Sequence, residues 1–220
     1  MDGAFALRPG ELKGDILINL DSETEGELYV GCAGGLDLTA TMKYDTVKLD
    51  RENFAGYRLE IKGLKGGHSG MEIILQRANA NKLFARFIAQ LPGKARHHAP
   101  ATSTAAGLRN AIPREAFATV AVMKKHEKAF QNAVKKFEKI YIDEYKGIED
   151  GISFKAVPVK TPSKAINFFD QANLVDAVFG CPNGVMRMST SMPGLVQTSS
   201  NLAKGWCPET RLLQNHVPAS

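Results

Sequence analysis

Polar and apolar positions alternate in three stretches of the chain. Leu36, Leu38, Ala40 and Met42 interleave with Asp37, Thr39, Thr41 and Lys43. Tyr57, Leu59 and Ile61 interleave with Arg58, Glu60 and Lys62, and Ile152, Phe154 and Ala156 with Ser153, Lys155 and Val157. A period of two predicts half-buried strands over Leu36–Tyr44, Tyr57–Lys62 and Ile152–Val159. Shorter apolar runs predict strands at Asp15–Leu20, Glu27–Ala33, Phe117–Met123 and Leu195–Leu202, with Gly34-Gly35 turning the chain between Glu27–Ala33 and Leu36–Tyr44. Ala101–Gly107 reads as a strand leading into a loop. Spacings of three and four predict helices instead. Ala80, Leu83, Phe84, Phe87, Ile88 and Leu91 form one stripe on a helix from Met71 to Leu91, with Arg77, Asn81 and Lys82 largely off it and Pro92-Gly93 closing it. Phe130, Val134, Phe137 and Tyr141 do the same between about His126 and Tyr145. A third helix begins at Ser163, read as its N-cap, and carries Phe169, Ala172, Val175 and Val178. Met1–Leu12 fits the end of a helix stopped at Pro9-Gly10. The order predicts an α+β fold, an antiparallel sheet with helices packed on one face.

Composition adds exclusions. The chain has 220 residues, 44% hydrophobic and 23% charged, ordinary for a water-soluble globular protein. No apolar run approaches the ~20 residues that span a bilayer, and Met1–Gly10 lacks a signal-peptide pattern. Cys32, Cys181 and Cys207 are widely spaced with no CxxC pair, which points to a reducing cytoplasm and away from a cysteine zinc site. The formal charge of +5 is largely explained by Lys124, Lys125, Lys128, Lys135, Lys136 and Lys139. These fall off the apolar stripe of their helix and lack interleaved aromatics, so a solvated face explains them and no nucleic-acid partner is expected.

Three places carry candidate chemistry. Gly63–Gly70 (GLKGGHSG) sets His68 and Ser69 on a glycine-loosened turn before a helix. A helix N-terminus offers free N–H groups and a positive dipole end to an anion or oxyanion. A surface turn residue is the plain alternative for His68. Asp21 opens an acidic loop after Asp15–Leu20, where one carboxylate is either a metal ligand or a solvated turn. Asn110 precedes Pro113 in LRNAIPREAFA, and its amide either satisfies a turn or meets a ligand.

Taken together, GLKGGHSGMEI, RANANKLFARF, LRNAIPREAFA, PNGVMRMS and GLVQTSSNLA, with the opening GAFALRPGELKGDILINLDSETEGELYVGCAGG, resemble the aminoacyl-histidine dipeptidases. These Xaa-His dipeptidases are cytosolic, carnosinase-related dizinc metallopeptidases. The resemblance covers about residues 1–204. It implies a catalytic-domain remnant over 1–26, a lid/dimerisation domain over 27–204 and a divergent tail over 205–220. It implies that Asp21 is a zinc ligand, that His68 is a catalytic lid histidine stabilising the tetrahedral intermediate, and that Asn110 contacts the dipeptide substrate. It also implies a homodimer through the lid.

The departures shape the expected function. Met1 aligns just beyond the family's Glu-Glu pair, and the upstream His-x-Asp motif and bridging aspartate are not found. The lid arginine and last zinc histidine are not recognisable after Lys204, and Gly205–Ser220 does not continue the strand pattern. The expectation is a truncated dipeptidase that binds no stoichiometric zinc and hydrolyses nothing alone. The alternative is a non-catalytic dimerisation or interaction module.

Overall fold

The computed structural model describes residues 6–16, 18, 25–28, 32–91, 108–206 and 212–219, with 206 and 212–219 as backbone only. It divides into two compact units, Met1–Cys32 and Ala33–Ser220.

In the first unit, described residues 6–12 hold a turn in place of the expected helix end. Glu11 N–H donates to Arg8 C=O at 3.2 Å across Pro9-Gly10, with Gly10 at φ +86. That is the left-handed position a Pro-Gly turn supplies. Asp15, Ile16 and Ile18 lie outside any strand, and Ile16 and Ile18 are 82% and 74% exposed. The rest of the expected Asp15–Leu20 strand is outside the described residues. An apolar run becomes a strand only where a neighbour pairs its backbone groups, and the described residues of this unit provide none. Glu27, Leu28, Cys32 and Ala33 are likewise outside strands.

The second unit is mixed α and β, with antiparallel sheets and, among the described residues, three α-helices. Its strands are β1 (Gly34–Ala40), β2 (Thr46–Lys48), β3 (Phe54–Lys62), β4 (Gly67–His68), β5 (Ala111–Ile112), β6 (Ala116–Met123), β7 (Ser153–Val159), β8 (Lys164–Ile166), β9 (Gly184–Met188), β10 (Val196–Trp206) and β11 (Leu212–Ala219). Its helices are α1 (Ala80–Gln90), α2 (Glu127–Glu144) and α3 (Phe168–Gly180).

The core lies on a three-stranded sheet ordered β6-β3-β7. Leu59 stands opposite Ala118 on one side and Ala156 on the other. Tyr57, Leu59 and Ile61 face α1 and α2 and are at most 2% exposed. The ring of Phe87 meets Phe130, Phe137 and Phe154 edge-on, at centroid distances of 6.1, 5.3 and 4.8 Å. Such pairs add to the burial of large apolar area. Phe130, Val134, Phe137 and Tyr141 are buried along α2 while its lysines are exposed, as their spacing predicts. Tyr141 Oη donates to Leu83 C=O at 2.7 Å, and burial pushes its phenol well above the ordinary tyrosine range.

Several boundaries differ from the sequence expectation. Met71–Leu91 is not one helix. A 3-10 turn at Ile73–Leu75 stops at Gln76, whose φ of 52 is left-handed, and α1 begins only after Asn79. Asn79 is extended, and its side chain accepts from Asn81 N and Lys82 N, which fixes the start. Ser163 is not an N-cap, because Lys164–Ile166 is drawn into β8 against β2. Asn167 caps α3 instead, accepting from Asp170 N at 2.9 Å. Leu36 and Leu38 are 60% and 55% exposed, so β1 is not half-buried. Gly34-Gly35 begins that strand and does not turn it, and β1 pairs with β11 in a sheet ordered β1-β11-β10-β9. Residues 212–219 thus form strand backbone where no strand pattern was legible.

Candidate functional site

Gly63 closes β3 at φ +81, and a Cβ there would lie 1.9 Å from Gly151 O. The two backbones touch, so glycine is required at this exit from the sheet. The chain then enters the loop that carries His68. Glu149, 2% exposed, receives both flanks of that loop: Lys65 N–H donates to Oε2 at 2.7 Å and Ala78 N–H to Oε1 at 3.1 Å. A carboxylate accepting backbone N–H groups makes the stronger, charge-assisted kind of hydrogen bond.

Between those anchors β4 pairs with β5, Gly67 opposite Ile112 and His68 opposite Ala111. Ser69 N–H donates to Asn110 C=O at 2.9 Å. His68 and Asn110, far apart in sequence, are therefore neighbours, and both are exposed. The expected helix N-terminus is absent from His68, since α1 starts at Ala80. The nearby N–H groups serve the imidazole itself. Gly70 and Met71 donate to His68 Nδ1 at 3.1 and 3.2 Å. A nitrogen that accepts carries no proton, so the neutral ring is the Nε2–H tautomer. The geometry offers a single N–H donor on an exposed histidine, with exposed Asn110 adjacent along the β4-β5 backbone, and such a donor suits an oxygen that gains negative charge.

Asparagines hold the far side of this site. Asn201, fully buried, donates from Nδ2 to Ala111 C=O at 2.8 Å. Asn79 Nδ2 reaches Asn183 Oδ1 at 2.8 Å and Leu202 C=O at 3.1 Å, and Leu202 N–H returns to Asn183 Oδ1 at 3.0 Å. Asn81, 3% exposed and not on a polar face, donates to Leu202 C=O at 3.2 Å. Lys82 Nζ fits under the end of α3, donating to Val178 and Cys181 carbonyls at 3.1 and 2.7 Å. It satisfies orphan carbonyls at a helix C-terminus. Burial holds its ammonium below the usual lysine range.

Sequence reasoning missed Glu149, Asn79, Asn183 and Asn201 as parts of the site. The available signal was that RANANKLFARF, PNGVMRMS and GLVQTSSNLA each contain an asparagine of this network.

Asp21 lies outside the described residues. Among the described residues no group of three or more His, Cys, Asp or Glu comes together to hold a metal. The described part of the chain therefore does not by itself fit a zinc centre, which needs at least three protein ligands. No helix among these residues is long and apolar enough to cross a membrane.

Residues 59–149 match the family profile of the M20 peptidase dimerisation domain. The chain is 41% identical over 212 residues to the cytosol non-specific dipeptidase of Escherichia coli (strain K12), across 92% of this chain and 41% of that protein. Its fold matches the crystal structure of aminoacylhistidine dipeptidase from Vibrio alginolyticus with a TM-score of 0.87 and 38% identity, across 98% of this chain and 44% of that one. The chain thus spans less than half the length of these two relatives.

Proposed function

We infer, from a chain whose residues 59–149 match the M20 peptidase dimerisation domain, the lid and dimerisation part of a cytosolic dipeptidase. The observation that carries this reading is the pinned imidazole. With Nδ1 occupied by Gly70 and Met71 N–H, His68 presents Nε2–H to the carbonyl oxygen of a bound dipeptide as that oxygen turns anionic. One such donor contributes about 3 kcal/mol to the transition state. Asn110, adjacent along the β4-β5 backbone, contacts the same substrate. A homodimer through the lid brings this pair to a hydrolytic centre.

Zinc, two ions in the family the sequence resembles, supplies the Lewis acid of that centre when bound. Asp21 is the one ligand position the resemblance places in this chain. The expected substrates are Xaa-His dipeptides, in line with the name of the solved relative. The other relative is named non-specific, so the substrate panel includes dipeptides without histidine. The second reading, a dimerisation module without hydrolysis, is favoured by the matched domain itself.

Zinc titration calorimetry, a dipeptide-release assay and light scattering on the same sample separate the readings. The expected result is a dimer with no stoichiometric zinc and no turnover alone. Two tightly held zinc ions with turnover would make the chain a complete enzyme. A strict monomer that also fails to associate with a full-length relative would remove the lid reading.

A further inference from the structure

Glu72 Oε2 accepts the His68 backbone N–H at 2.7 Å, and Oε1 pairs with Arg77 Nη1 at 2.9 Å. The same Nη1 donates to Gly66 C=O. Glu72 and Arg77 therefore grip the backbone on both sides of Gly67. A Cβ on Gly67 would lie 2.5 Å from Arg77 Nη1 and 2.6 Å from Glu72 Oε2, and its φ is +142. Glycine alone lets the ion pair seat against the chain here. The His68 N–H, and then Arg77, hold the Glu72 carboxyl below its ordinary range.

The pair is a poor candidate for a stability device. Glu72 and Arg77 side chains are 38% and 20% exposed, and ion pairs near water add little to folding. Its geometry acts locally instead. Glu72 N–H also donates to His68 C=O at 3.0 Å, which closes residues 68–72 into one turn. Gly70 and Met71, whose N–H groups reach Nδ1, lie inside that turn.

We propose that Glu72 and Arg77 are positioning residues for His68. Their ion pair holds Gly66 and His68 so that the turn stays closed, Nδ1 stays an acceptor and the ring proton stays on Nε2. This rests on the reading of His68 as a donor to substrate oxygen, but the tautomer is measurable without any substrate. The test is the nitrogen NMR spectrum of the His68 ring in the labelled full chain, in mildly alkaline solution where a free histidine is neutral. Wild type should show one Nε2–H tautomer. Glu72→Ala and Arg77→Met should each average the two ring nitrogens, with the melting temperature within about 3 °C of wild type. The two variants reach the pair from opposite sides, so one suffices if the other does not fold.

A single tautomer that survives in the folded variants would overturn the proposal, as would a wild-type ring without one. His68→Ala in a full-length relative with unchanged turnover would remove the catalytic reading and leave the positioning result standing.

Discussion

Two regions of the second unit are held by opposite means. The sheet β6-β3-β7 with α1 and α2 is held by many interchangeable apolar contacts around Phe87. The segment from Gly63 to Asn79 has little regular structure; buried Leu64, Ile73 and Ala78 tie it to the interior, and the turn between them is placed by a few specific polar contacts: Glu149 at its two flanks, Glu72 and Arg77 at its centre, Asn79 at its end. The first arrangement sets whether the chain folds. The second sets where one imidazole sits. A surface that must present an exact donor geometry cannot rely on apolar packing, which has no direction.

The contrast can be broken at the core first. Phe87→Ala should remove about 3–5 kcal/mol of stability, measured by denaturant unfolding, because it empties the centre of the aromatic cluster. If the loss is global, the His68 turn disappears in the same transition. Glu149→Gln is the sharper cut. An amide can accept from Lys65 or Ala78 N–H but not from both without turning a donor toward one of them. The expected cost is about 1–3 kcal/mol. Amide hydrogen exchange should speed up at Lys65 and Ala78 more than on β3. Uniform exchange changes would show that the loop is held by the core after all. At the weak end, Lys136→Gln on the exposed face of α2 should change stability by less than about 0.5 kcal/mol. A larger loss would mean that this lysine face has a partner.

Legibility in the sequence follows the same division. Phe130, Val134, Phe137 and Tyr141 were readable because one helical face repeats a single requirement at a known period. Tyr57, Leu59 and Ile61 were readable for the same reason at a period of two. The start of α1 is not legible because the apolar residues Met71, Ile73, Ile74 and Leu75 extend the pattern, whereas the boundary depends on the conformation of Gln76 and one side-chain cap at Asn79. The start of α3 is not legible because Ser163 is as good a cap as Asn167, and a three-residue pairing with β2 decides between them. His68 and Asn110 stand out as candidates in their motifs, and their roles come from the resemblance. Their adjacency comes from β4 and β5, two residues each, too short to carry any periodicity.

The ladder of β1 with β11 sets an order of events. Gly34 pairs with Ala219, and Ala40 with Leu213. The three-stranded sheet needs nothing beyond Val159. On a ribosome, β3, β6 and β7 can therefore assemble while β1 is still waiting for a neighbour that has not yet been synthesised. Leu36 and Leu38 spend that interval on an unpaired edge, the kind of surface on which nascent chains meet one another. Among the described strand pairs, the β1-β11 contact is also the one whose sequence separation costs most in loop entropy.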